Sequence, residues 1–492
     1  MKLEKLKKCN VQFDNAKNIM NTKNRLINMQ YVAFISIVAA LGGLLFGYDT
    51  AVISGTVSQV TAQFELNTLQ SGWYVGCALV GSIAGVLFAG RLSDYFGRKN
   101  TMILSALLFT ASALGCALSV SFNHLVVWRM VGGAGIGIVS VVCPLYISEV
   151  SPASHRGRLV SLYQLAITVG FLVAYLVNYF LLKLSVDFYS SVSSFQRIFG
   201  SESWRGMLGA ETLPAALFFL VTFLIPESPR WLLVKNKEDK AFAIFSKIFV
   251  KTEDISFQVN ETKKILQLQS EVSSDWKVLM QPGFRKAVII GAAIAILGQF
   301  MGVNAVLYYG PTIFESSGLS SGDSLFYQSL IGAVNMLTTV LALLIIDKVG
   351  RKKLVYVGVS GMILSLILIG FYFLFSEQMG LTSTFLLICF LAYIFFTAGS
   401  ISAVIFVFLS EMYPTRIRGF AMSLATFSLW IGTYLIGQLT PWLLATLSPA
   451  GTFFLFAVMC LPYMFIIWRL MPETTGKTLE EIELFWLKDE KK

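Results

Sequence analysis

Three ionisable side chains fall inside otherwise apolar stretches of this chain: Asp49, within Gly47-Tyr48-Asp49-Thr50, then Arg129 and Glu211. A charge at mid-membrane costs roughly 2.5 to 3.5 kcal/mol unless it is paired or wetted. An acid and a base buried in one helical bundle therefore suggest a pair whose hold on a proton changes as a cavity around it opens and closes. Such a pair can couple proton movement to a conformational change, or it can be a fixed structural ion pair. Glu211 lies near the start of its segment, where it can join the other two or pair with Arg205.

A second set of charges is written twice. Asp94-Tyr95-Phe96-Gly97-Arg98-Lys99 recurs as Asp347-Lys348-Val349-Gly350-Arg351-Lys352. Glu149-x-x-Pro152-x-x-x-Arg156-Gly157 recurs as Glu411-x-x-Pro414-x-x-x-Arg418-Gly419. Pro226-Glu227-Ser228-Pro229-Arg230 has a looser counterpart in Pro472-Glu473-Thr474-Thr475-Gly476. The copies lie about 250 residues apart, half the chain, which points to a duplication whose halves face each other across a central axis, an arrangement used by transporters. A helix ending at a membrane surface exposes carbonyls with partial negative charge, where an Arg or Lys docks while the acid pairs with another Arg. Asp94, Arg98, Glu149, Arg156 and Arg158 are expected to gate one half in this way, and Asp347, Arg351, Glu411, Arg416 and Arg418 the other. The duplicated spacing favours that reading over charges that only set topology and solubility.

The elements that must position these residues follow from the apolar pattern. With 55% hydrophobic and 13% charged residues among 492, the chain belongs in a bilayer. Twelve segments are long enough to cross one: Tyr31 to Ile53, Trp73 to Gly90, Thr101 to Val120, Leu125 to Tyr146, Leu159 to Leu182, Met207 to Ile225, Ala287 to Tyr309, Gln328 to Ile346, Leu354 to Phe375, Phe385 to Leu409, Phe420 to Leu443 and Thr452 to Leu470. Only helices satisfy their own backbone in hydrocarbon, and the runs lack the alternation of a transmembrane barrel, so the fold class is an all-α membrane protein. The expected order is a tail (1–30), a six-helix bundle (31–225), a polar linker with short amphipathic helices such as Ala241 to Val250 (226–286), a second six-helix bundle (287–470) and a tail (471–492). Of the 38 Lys and Arg residues, 34 fall on one side of these spans, which by the positive-inside rule makes both termini and the linker cytoplasmic. The net charge of +10 is the surplus of a face lying near anionic lipid, and no nucleic-acid partner is expected.

At this point the strings carry a family resemblance. Gly90-Arg91-Leu92-Ser93-Asp94-Tyr95-Phe96-Gly97-Arg98-Lys99, the Pro-Glu-Ser-Pro-Arg-Trp-Leu run at 226 to 232, Gln299-Phe-Met-Gly-Val-Asn304 with Tyr308-Tyr309, and Pro-Glu-Thr-Thr-Gly-Lys at 472 to 477 resemble the sugar porter family of the major facilitator superfamily, and in particular bacterial proton-linked sugar symporters. The resemblance covers about residues 30 to 485. It implies twelve helices in two pseudo-symmetric six-helix bundles, a central site of alternating access, and a hexose, pentose or cyclitol substrate. It also favours proton coupling at Asp49, since the matching position is an Asp in proton-linked members and uncharged in mammalian facilitators.

Sugar recognition needs groups that donate and accept together, with aromatic faces against the ring. Gln164, Gln299, Asn304, Asn335 and Trp430 match sugar-contacting or cavity positions of the resembled family, and Phe46, Tyr308 and Tyr309 are candidate gates. Amides in membrane helices can instead hold helices together, a reading that stays open for Asn335. The chain departs from the family pattern at Gly298, where a second helix 7 Gln is usual, at Phe406 for a Trp, at Phe171 for an amide, and at Leu429 for a polar residue. The pocket is thus expected to be more apolar than usual, with a pentose, an inositol or a less polar sugar open beside glucose.

The expected function is secondary active transport, a proton-coupled symport of a monosaccharide or cyclitol by alternating access; a facilitative uniporter is the alternative, and a non-transporting sugar sensor a further one. No enzyme activity, metal site or cofactor is expected: both His residues, His124 and His155, are in loops, and no Cys/His cluster or phosphate loop occurs. The six Cys suggest no exported disulfide framework. Expected partners are a small-molecule sugar or polyol, a proton and the lipid bilayer, with the chain functional as a monomer in a bacterial inner membrane.

Overall fold

The computed structural model describes residues 27–152, 154–187, 201–271, 282–413 and 418–471. Nineteen α-helices run through these residues. The first half contains α1 (Met29–Val52), the short α2 (Val57–Gln63), α3 (Thr68–Phe96), α4 (Arg98–Ala117), α5 (Phe122–Val150), α6 (Arg156–Asp187), α7 (Ser203–Gly209) and α8 (Thr212–Thr222). Three short helices follow: α9 (Pro229–Val234), α10 (Glu238–Ile248) and α11 (Thr252–Glu271). The second half contains α12 (Pro282–Phe300), α13 (Val303–Ser316), α14 (Ser321–Val349), α15 (Arg351–Met379), α16 (Ser383–Gly399), α17 (Ile401–Met412), α18 (Arg418–Thr446) and α19 (Ser448–Arg469).

Every apolar segment expected from the sequence is helical, and eleven are long and apolar enough to cross a membrane. The sixth is interrupted between α7 and α8, at Ala210 and Glu211. Pro214 explains the interruption, because it has no N–H for the carbonyl of Ala210 and its ring crowds that group. The seventh breaks between α12 and α13 at Gly302, which sits at φ +90, and the tenth breaks between α16 and α17 at Ser400.

The duplication extends to backbone angles. Gly97 (φ 92, ψ 166) ends α3 and starts α4; Gly350 (φ 93, ψ 147) ends α14 and starts α15. That region of backbone space is essentially reserved for glycine, so both Asp-x-x-Gly-Arg loops require it. Within the first half, α3 and α5 are in backbone contact. A Cβ on Gly133 would sit 1.9 Å from the Ala78 carbonyl oxygen, one on Gly81 2.2 Å from that of Met130, and one on Gly137 2.2 Å from that of Ser82. Small residues at four-residue spacing are what let membrane helices approach so closely.

The chain forms two compact units. The smaller comprises the described residues up to Ile35 and those from Pro226 onward through α11. In it, α10 buries Ala241, Ile244, Phe245 and Ile248, Ile27 bridges to Phe249, and Lys263 pairs with Glu238 at 2.6 Å. Ser228 caps α9 by accepting from the Trp231 N–H. The larger unit holds both sets of membrane helices. At the end of this unit away from the Asp-x-x-Gly-Arg loops, the two halves are tied together. Ser58 donates to Glu315 Oε2 (2.7 Å), Gln438 Nε2 to the Leu69 carbonyl (3.0 Å), and the Tyr175 hydroxyl to the Leu307 carbonyl (2.9 Å).

Candidate functional site

Asp49 near the end of α1 and Arg129 on α5 form the buried pair expected from the sequence. The Arg129 guanidinium donates through Nη1 to Asp49 Oδ1, and the two residues are 1% and 2% exposed. Gly132, one turn along α5, leaves the room: a Cβ there would lie 3.4 Å from Asp49 Oδ2 and 2.5 Å from Ser112 Oγ. Glu211, at the interruption before α8, is also buried, with its carboxyl group beside that of Asp49. The alternative of a Glu211–Arg205 pair is not what forms. Arg205 pairs with Glu202 and donates to the carbonyls of Ala117 and Ser119, capping the end of α4. Two acids thus face one guanidinium in a low-dielectric interior, and Asp49 Oδ2 and Glu211 Oε1 accept no hydrogen bond from the described residues.

The interruption in the seventh segment assembles the amides. Asn304, on the first turn of α13, donates to Gln299 Oε1 at the end of α12 (2.7 Å). Thr433 of α18 donates to the same oxygen (3.2 Å). Trp430, one turn before Thr433, is 6% exposed and stacks on Phe46 of α1, with centroids 5.8 Å apart and planes at 27°. This contact spans the two halves. Gln164 on α6 and Asn335 on α14 are half-buried, and among the described residues no hydrogen bond joins their side chains to the Gln299 cluster. Thr433 escaped the reading of the sequence; its spacing of three from Trp430 puts both on one helix face and was the available signal. Tyr308 and Tyr309 are buried, and the Tyr309 hydroxyl donates to the Gly437 carbonyl (2.6 Å).

The departures from the family pattern have a spatial meaning. A Cβ on Gly298 would meet Tyr463 at 3.7 Å and Ile401 at 3.8 Å, ordinary contact distances, so a side chain there is missing and is not sterically forbidden. Phe171 is buried and packs edge-on against Tyr175. The Phe406 side chain lies outside the described residues.

The duplicated charges form matching clusters. Arg98 grips Glu149 with both Nε (3.0 Å) and Nη2 (3.1 Å), while its Nη1 donates to Asp94 Oδ1 (3.1 Å) and to the Ser93 carbonyl at the end of α3 (3.0 Å). Lys99 donates to the Phe223 carbonyl at the end of α8 (2.8 Å). In the other half Arg351 donates to Glu411 Oε1 (3.1 Å). Basic groups thus sit on the negative ends of helices, as helix-end electrostatics requires. Arg156 and Arg158 are exposed on the first turn of α6 and carry no ion pair among the described residues. The Asp347 and Arg418 side chains, and all of Arg416, lie outside the described residues.

Comparisons with known proteins bear on the family of the chain. A family model described as "Sugar (and other) transporter" matches residues 35–486. The chain is 37% identical over 463 residues to the arabinose-proton symporter of Bacillus subtilis, covering 94% of this chain and 96% of that protein. It is 34% identical over 508 residues to the D-xylose-proton symporter of Escherichia coli, covering 96% and 99%. Among solved structures, the inward-open xylose transporter XylE of E. coli superposes with a TM-score of 0.79 at 32% identity, covering 92% of this chain and 100% of that one. XylE, a major facilitator superfamily proton:xylose symporter, bound to 6-bromo-6-deoxy-D-glucose gives 0.75 at 34% identity, covering 93% and 100%. With twelve membrane segments in two duplicated halves, matching charge clusters and a family model spanning nearly its whole length, the chain belongs to the sugar (and other) transporter family of multi-pass membrane proteins.

Proposed function

We propose that this protein is a proton-coupled symporter of a monosaccharide or cyclitol, working by alternating access. The observation that carries the reading is the buried Asp49–Arg129 pair with Glu211 beside it in the first half, together with the Gln299–Asn304–Thr433 cluster in the second. One guanidinium neutralises one carboxylate; the second acid leaves the balance to be closed by a proton, which is the coupling ion this arrangement suits. Gln299 and Asn304 supply amide donors and acceptors to sugar hydroxyls, and the Phe46–Trp430 stack offers an aromatic face to the ring. Gln164 and Asn335 extend the set from α6 and α14. The missing side chain at Gly298 and the apolar Phe171 and Leu429 suit a substrate with fewer polar contacts than a hexose makes, such as a pentose. The names of the relatives, arabinose-proton and xylose-proton symporters, support the same substrate class.

The basic starts of α4, α6 and α15 are read as lying at the cytoplasmic face, with both termini on it, the membrane as a bacterial inner membrane and the monomer as the working unit. Uptake of labelled pentoses, hexoses and inositols into proteoliposomes, with and without an inward proton gradient, tests the proposal. Accumulation above the external concentration only with the gradient is the expected result, and gradient-independent equilibration would make the protein a uniporter.

The charge clusters are assigned to gating, with Asp94, Arg98, Glu149, Arg351 and Glu411 stabilising the state closed on the cytoplasmic side and Arg156, Arg158, Asp347, Arg416 and Arg418 adding to that face. Asp94→Asn and Arg351→Ala are expected to raise labelling of cytoplasmic cavity cysteines a few-fold, with normal membrane insertion. Unchanged labelling in both variants would remove the assignment.

A further inference from the structure

Four membrane helices contain an internal proline: Pro144 in α5, Pro311 in α13, Pro441 in α18 and Pro462 in α19. A proline has no N–H, so the carbonyl four residues earlier loses its helical donor. For Pro311 and Pro441 those carbonyls belong to Leu307 and Gly437. An unpaired carbonyl in a membrane interior is costly, and in each case a tyrosine hydroxyl satisfies it. Tyr309 donates to Gly437 at 2.6 Å, which pins α13 to α18 inside the second half. Tyr175 donates to Leu307 at 2.9 Å, and here the donor is on α6 of the first half. Gln328 Nε2, on α14, donates to the same Leu307 oxygen at 3.2 Å. Tyr175 and Gln328 are both fully buried.

We propose that Tyr175, with the proline-freed carbonyl of Leu307 as its acceptor, is a positioning residue of the transport cycle: a latch that exists only while the end remote from the charge clusters is closed. The bond requires α6 and α13 to touch, so it breaks whenever the halves part there. Gln328 makes the latch reversible. It belongs to the same half as Leu307, moves with it, and keeps the carbonyl hydrogen-bonded after Tyr175 has left, so opening leaves no orphaned carbonyl. Phe171, one turn before Tyr175 and packed edge-on against it, holds the ring in place.

This inference rests on the alternating-access reading, and its test separates the two. Spin labels at Leu66→Cys and Ser316→Cys, one on each half at the remote end, report the closed and open separations in reconstituted protein. Tyr175→Phe, which removes only the hydroxyl, is expected to raise the ratio of open to closed roughly fivefold, the effect of one hydrogen bond. Pro311→Ala returns an N–H to α13 and gives Leu307 an intrahelical donor. In that background Tyr175→Phe is expected to have little further effect. An unchanged distance distribution in Tyr175→Phe, or effects of the two substitutions that simply add, would overturn the latch while wild-type sugar exchange stayed intact. Absence of sugar exchange in the wild-type protein would instead remove the transport reading on which the latch depends.

Discussion

Asp49→Asn is expected to abolish accumulation of sugar against a gradient while leaving exchange of sugar across the membrane in place. One inward proton is worth about 2.3 kcal/mol per 100 mV, so a driving force of roughly 150 mV supports about 3.5 kcal/mol, or a several-hundred-fold concentration ratio. The amide resembles the protonated acid in shape and cannot release a proton. It also leaves Arg129 without its carboxylate partner, so the conformational step that normally waits for the proton proceeds without it. The accumulation ratio should fall from several hundred to about one. Uphill uptake and equilibrium exchange measured on the same proteoliposome preparation decide the matter: full proton-driven accumulation by Asp49→Asn would remove this residue from the coupling mechanism.

Gln299→Ala is expected to produce the largest loss of substrate affinity. Gln299 Oε1 collects donors from Asn304 and Thr433, so its removal takes away an amide and also lets two neighbours change orientation. A lost buried hydrogen bond costs about 1 to 3 kcal/mol, which corresponds to a weakening of roughly 5- to 150-fold. Thr433→Val, which deletes one donor to that oxygen and keeps the side-chain shape, should fall at the lower end. Equilibrium binding to purified, folded variants is the appropriate measurement. Normal affinity in Gln299→Ala would mean that the sugar lies elsewhere.

The membrane segments and the buried pair were legible in the sequence because both are contrasts of composition. Twenty apolar residues stand out from polar loops, and Asp49 and Arg129 stand out from apolar runs. The interruptions at Ala210–Glu211 and Ser400 were less visible. A proline inside an apolar run does not announce whether the helix bends or stops, and Ser400 has no such marker. Thr433 was hidden for a related reason: its hydroxyl also donates to the Leu429 carbonyl of its own helix, the ordinary behaviour of a membrane Thr. Arg156 and Arg158 were less legible: Arg156 repeats as Arg418, yet spacing does not fix the direction of a side chain at a helix start, and both are exposed. Arg98 is different because Gly97, at its positive φ, turns the chain so that the guanidinium reaches the end of α3 and Glu149 together. Tyr175 could not have been singled out, since its acceptor is made available by Pro311, in the other half of the chain.

The backbone contact between α3 and α5 bears on how such a molecule can deform. Two helices separated by side chains can slide, because rotamers reshuffle between them; two helices meeting at bare glycines have no such soft layer. That pair acts as a stiff beam. Compliance then concentrates where the helical hydrogen-bond ladder is already interrupted, at residues 210–211, 302 and 400. Two of these flexures lie beside the proposed proton and sugar groups, Glu211 at the first and Gln299 with Asn304 at the second. Strain generated by occupying either ligand site is therefore delivered directly to a joint and need not travel through the rigid members between them.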